Sequence, residues 1–130
     1  MKILIIKGRP FSLNASPRSK NRWKRKIVTI AKSVFSSPSF HKDLRLEVTY
    51  YYDKPCGIDA DNILKPICDA LKGTAYRDDS QIADAHAHIR NIDGPYRIKG
   101  VSKEIVNAIV KGKEFVCIKV MRIRSEMEKI

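Results

Sequence analysis

Asp59 and Asp61 stand one residue apart at the head of the run GIDADNILKPICDALKGTAYRDDSQI, residues 57–82, and a second acidic pair, Asp78 and Asp79, closes it. In an extended segment, residues i and i+2 project to one side, so the first pair is expected to present two carboxylates together with Ala60 facing away. Lys65 and Asp69 follow Asp61 by four and eight residues, the spacing of one helical stripe. Taken singly, an Asp-x-Asp-Asn before a helix is a capped turn and an Asp-Asp is a solvated one. Taken together, with a lysine on the same face, they supply what a hard cation such as Mg²⁺ wants: a few carboxylate oxygens and room for retained water.

The surroundings sharpen that expectation. Residues 45–85 hold eight acidic side chains against five basic ones, while the whole chain carries a formal charge of +12. Residues 1–43 are net +10 and residues 86–130 net +5. A pI near 9.8 is the electrostatic footprint of a protein that meets a polyanion. Nucleic acid is the leading candidate, although a ribosomal or acidic-membrane surface would call for a similar total. Clustered carboxylates would repel a phosphodiester unless a metal ion reversed the local field.

The run DADNILKPICDALKG followed by DDSQI resembles the signature of the RusA family of Holliday-junction resolvases, D-x-D-N-x-x-K-x-x-x-D-A-L-x(n)-D-D-x-Q. The order of flanking elements extends the likeness over most of the chain. The resemblance implies a RusA-like fold and a metal-dependent endodeoxyribonuclease. It implies that Asp59, Asp61 and Asp79 are the catalytic carboxylates holding one or two Mg²⁺ ions, with Mn²⁺ as a substitute, and that Lys65 is the essential lysine. Asp78 stands as the alternative metal ligand of the second pair. A four-way junction has two-fold symmetry and needs two opposed nicks, so a homodimer acting on branched DNA is expected.

These residues need elements to hold them. Met1–Lys7 reads as a strand stopped by Gly8-Arg9-Pro10, and residues 9–21, RPFSLNASPRSKN, as a basic loop that the resemblance implicates in DNA contact or dimer formation. From Pro17 the period changes: Trp23, Ile27, Ile30, Ala31, Val34 and Phe35 mark an amphipathic helix with Trp23 as a core anchor. Its first turns carry Arg18, Lys20, Arg22, Lys24, Arg25 and Lys26. By itself such a run is a solvated face; upstream of a phosphate-cleaving motif it is expected to bind DNA by neutralising successive phosphates.

Residues 36–41 break the helix, and Leu44, Leu46, Val48, Tyr50 and Tyr52 alternate with polar neighbours as a half-buried strand. The motif helix is predicted to be capped by Asp61 or Asn62 and ended by Gly73, with Pro66 about five residues past the cap, bending its first turn. Residues 80–90 read as a strand with Ile82, Asp84, His86 and His88 on one side and Ala83, Ala85, Ala87 and Ile89 on the other. His86 and His88 lack a third ligand of the same kind, so no zinc site is expected. Residues 91–100 form a loop, Ser102–Val110 a short helix for which a strand is the alternative, Phe115–Arg124 a strand, and residues 125–130 a frayed end.

The element order predicts one compact α/β (mixed α+β) domain over residues 1–130, with four or five strands packed on two or three helices. Three cysteines, with no C-x-x-C, leave an odd thiol, and Cys68 and Cys117 are expected as buried thiols of a reducing compartment. The start MKILIIKGRP lacks a cleavage site and no run reaches membrane-spanning length, so a cytoplasmic location is expected. Two other readings remain: a non-catalytic basic DNA-binding protein, and a nuclease for other branched DNA.

Overall fold

The computed structural model describes residues 1–10, 15–54, 57–93 and 103–123. Part of the basic loop (residues 11–14), Cys56, residues 94–102, the end of the last predicted strand and the expected frayed tail lie outside them. The elements run β1 (Lys2–Lys7), α1 (Pro17–Val34), β2 (Leu44–Tyr52), α2 (Ala60–Leu71), a 3-10 turn (Asp79–Gln81), β3 (Ile82–Asn91), α3 (Lys103–Val110) and β4 (Phe115–Arg122). Four strands form one sheet of order β1-β4-β2-β3, in which only β2 and β3 are parallel. The expected mixed α+β architecture is what forms, and Lys103–Val110 takes the helical option.

A parallel pair needs a crossover long enough to return the chain to the same end of the sheet. Here α2 is that crossover, so the whole acidic motif lies in the connection between two neighbouring strands. α1 and α2 cover one face, where Leu46, Val48, Tyr50, Val116 and Ile118 meet Trp23 and Ile27 of α1 and Ile63, Ile67 and Leu71 of α2. Burial of each such aliphatic side chain contributes about 1.5–3 kcal/mol. α3 packs on the opposite face against Phe115 and Cys117, where Tyr51 stacks on Phe115 with ring centroids 4.7 Å apart. Cys117 is the buried thiol expected, pushed up to about 11 by that burial, whereas Cys68 is half-buried.

Two details of the sheet depart from the sequence pattern. Residues 79–81 form a 3-10 turn, so β3 starts at Ile82 rather than Ser80. Ile82 pairs with Leu44 but Arg45 pairs with Asp84, which leaves Ala83 as an extra residue. This bulge reverses the facing of what precedes it, so Ile82 joins Ala87 and Ile89 over the core instead of Asp84, His86 and His88. On the other face Arg45 pairs with Asp84 at 2.9 Å.

Candidate active site

β2 delivers the chain to the first carboxylates. Asp59 occupies the N-cap of α2 in extended backbone (φ −84°, ψ 153°), its carbonyl accepting from the Asn62 amide at 3.1 Å. The cap therefore falls two residues before Asp61, and the two aspartates share the first helical turn rather than an extended segment. The Asp59 side chain makes no capping hydrogen bond. Both residues are exposed, and among the described residues neither carboxylate is engaged by a hydrogen bond or ion pair. Two carboxylates thus stand free on the first turn of α2.

The helix continues as a charged stripe. Lys65, its side chain 86% exposed, lies 3.9 Å from Asp69, and Asp69 also meets Lys24 of α1 at 3.6 Å. One carboxylate thus links the basic helix to the motif helix. Pro66 is buried in the helix interior, seven residues past the cap rather than five, and leaves the Asn62 carbonyl without its usual amide donor. Gly73 follows the helix at φ +90°, a left-handed conformation in which a side chain would be strained.

The second acidic pair is held by one buried amide. Gln81 is 8% exposed, and its oxygen accepts from the amides of Arg77 at 2.8 Å and Asp78 at 3.0 Å. Its nitrogen donates to the carbonyls of Ser39 at 2.9 Å and His41 at 2.8 Å. Asp78 caps the 3-10 turn, accepting from the Ser80 amide at 3.1 Å and from the Ser80 hydroxyl, and pairs with Lys72 at 3.6 Å. The Ser80 hydroxyl first, then its amide and Lys72, hold the Asp78 carboxyl below the usual range.

Asp79 is exposed, and its charge acts on the Tyr76 hydroxyl and the Cys68 thiol. Tyr76 is fully buried and donates to the Cys68 carbonyl at 3.0 Å. Burial, then Cys68 and Asp79, push the Tyr76 hydroxyl far up, so it stays a neutral donor. Asp79 follows the last turn of α2 along the chain, and Lys72 at that end of the helix reaches the neighbouring Asp78. Positions 61 and 68 are separated by about 10 Å of helix axis at 1.5 Å per residue. Asp59 and Asp61 share the first turn of α2, and among the described residues no three His, Cys, Asp or Glu side chains form a group able to hold a metal ion.

The six predicted DNA-binding cations lie on the first half of α1, which Ser16 caps by accepting from the Ser19 amide at 3.2 Å. Arg18, Arg22 and Arg25 are exposed. Lys20 is half-buried, Lys24 reaches Asp69, and Lys26 donates to the Lys7 carbonyl. A cavity of about 240 Å³ lined by Arg9, Ser19, Arg22, Trp23 and Lys26 opens beside this end, and Arg9 is steadied by Glu114 at 3.0 Å. A larger hollow of about 660 Å³ between α3 and β1 is lined by none of the motif's aspartates. Sequence reasoning missed Gln81, whose only signal was its fixed place after Asp-Asp.

A basic helix joined through Lys24 and Asp69 to the helix that carries Asp59 and Asp61 has the make-up of a protein that meets nucleic acid. The family model described as endodeoxyribonuclease RusA matches residues 11–99, well over half of the chain, and the chain belongs to the RusA endodeoxyribonuclease family. No curated protein matches the sequence. No helix among the described residues is long and apolar enough to cross a membrane.

Proposed function

We propose that this family member is a Mg²⁺-dependent endonuclease that resolves four-way DNA junctions by paired, symmetric cuts during recombination and repair in the cytoplasm, acting as a homodimer. The observation that carries the proposal is the pair of free carboxylates, Asp59 and Asp61, on the first turn of α2 in a chain of this family. Their oxygen-only donor set fits the ion, because Mg²⁺ is commonly held by one or two carboxylates, water and the substrate's own phosphate. Bound there, it would polarise the phosphoryl oxygen and lower the pKa of an attacking water. Lys65, extended into solvent one turn below Asp61, would meet charge developing on the phosphate. The cations of α1 would seat the backbone, in a salt-dependent manner.

Of the second pair, Asp79 is the candidate catalytic group, since the Asp78 oxygens are engaged by Ser80 and Lys72. That Asp59, Asp61 and Asp79 form no metal-holding group among the described residues of one chain is a reason to expect two copies. A two-fold axis that set two α2 helices antiparallel would bring the partner's Asp79 to the first turn carrying Asp59 and Asp61, and would present two equivalent sites to opposed strands.

The test is cleavage of a synthetic four-way junction. With Mg²⁺ or Mn²⁺ the unmodified chain nicks it symmetrically, and Asp61→Asn binds it without cutting. A chain that binds tightly and leaves every branched substrate whole across a range of metals is a non-catalytic DNA-binding protein. Equal cutting of linear duplex would remove the junction selectivity and keep the chemistry.

A further inference from the structure

We propose that Phe40 and Arg77 form a stacking platform for an unpaired nucleobase at the branch point of the DNA, an inference that rests on the nuclease reading above. Phe40 is 70% exposed, and with Met1 at the chain start it is one of two large hydrophobic side chains exposed among the described residues. The Arg77 guanidinium lies over its ring, 3.6 Å from the centroid. An aromatic left in water on a pliable loop would fold back onto apolar surface; this one is held out. Gln81 donates to the carbonyls of Ser39 and His41, the two residues that bracket Phe40. The Ser39 amide is tied to the Ala75 carbonyl at 2.9 Å, and the His41 amide to the Ser39 hydroxyl at 3.1 Å.

The same Gln81 side chain accepts from Arg77 and Asp78, so the ring, the guanidinium and the acidic pair are carried on one clamped unit. A ring with a cation on one face offers its other face to a second flat, electron-rich partner, and both Phe and Arg are stacking surfaces for bases. Within a duplex every base is already stacked and paired. A branch point, where bases splay, is where such a partner becomes available, so this platform would favour branched over linear DNA without reading sequence. Exposed Lys42 beside it adds a cation for the adjoining phosphate.

The experiment uses the full chain without divalent metal, a four-way junction carrying 2-aminopurine at its centre, and a linear duplex of equal length. Unmodified protein is expected to change the 2-aminopurine fluorescence on binding. Phe40→Ala should bind the junction about tenfold more weakly, the scale of one lost base–aromatic stack, and leave the fluorescence unchanged. Its affinity for the duplex should hold, and Phe40→Tyr should restore both signals. Equal weakening on duplex and junction, no change on either, or a dimer that falls apart in Phe40→Ala would each overturn the proposal, the last by assigning the ring to a second copy of the chain. Binding is read without cutting, so a chain that shows the fluorescence signal yet never cuts with Mg²⁺ refutes the nuclease and leaves the platform standing.

Discussion

Replacing Gln81 tests whether one amide holds the second acidic pair and the 39–41 loop in place. In Gln81→Ala four hydrogen bonds between 2.8 and 3.0 Å disappear. At about 1 kcal/mol net for each, the loss is about 4 kcal/mol, a large share of the 5–15 kcal/mol typical of a domain. For a chain of 130 residues this corresponds to a fall in Tm of about 15 °C. Gln81→Glu separates the two halves of the clamp. As a carboxylate it can still accept from Arg77 and Asp78 but faces the Ser39 and His41 carbonyls with charge instead of donors. Burial first, and those carbonyls second, raise its folded pKa above the unfolded value of about 4.3. A raised acid contributes stability that is fully present below the unfolded pKa and is lost as pH rises through the folded one. Denaturant unfolding from pH 4.5 to 8 should therefore show a Gln81→Glu deficit, relative to the unmodified chain, that widens with pH, while that of Gln81→Ala stays level. A loss under about 1 kcal/mol in Gln81→Ala, or a pH-independent Gln81→Glu, would refute the clamp.

Two further changes probe α2. Tyr76→Phe removes the bond from the buried hydroxyl to the Cys68 carbonyl and should cost about 1 kcal/mol, read as a Tm lower by about 4 °C; an unchanged Tm contradicts the pairing. Asp69→Asn releases both Lys24 and Lys65. Stability should move by less than about 0.5 kcal/mol, as exposed pairs do. The slope of log K against log salt for DNA binding should steepen by one to two, as freed lysines take phosphates; an unchanged slope contradicts it.

Much of this was legible in the chain because local periodicity and burial agree. The alternation from Leu44 to Tyr52 and the Trp23-Ile27-Ala31 stripe each report one buried face, and both elements form where those faces lie. What the sequence concealed is non-local. Nothing near Ala83 announces the bulge, which is set by pairing with β2 and carries Ile82 to the core. Gln81 reads as the start of a strand, yet it is buried because residues some forty positions earlier come to bond it. The aspartates are a different case. Asp61 and Asp79 look close along the chain, but the segment between them is a crossover helix, and a helix carries its two ends apart. The motif therefore showed the side chains without showing that, among the described residues, they form no single metal-holding group.

The most direct measurement of whether carboxylates from the two ends of α2 act together is a complementation assay. Asp61→Asn and Asp79→Asn chains, each with its own tag, are co-expressed, purified through both tags and given a four-way junction with Mg²⁺. Each variant alone should bind and leave the junction whole. The mixed dimer should hold one site with both lesions and one with none, and so should nick a single strand. If the unmodified chain cuts while the mixed dimer stays as inert as its parents, the composite site is wrong.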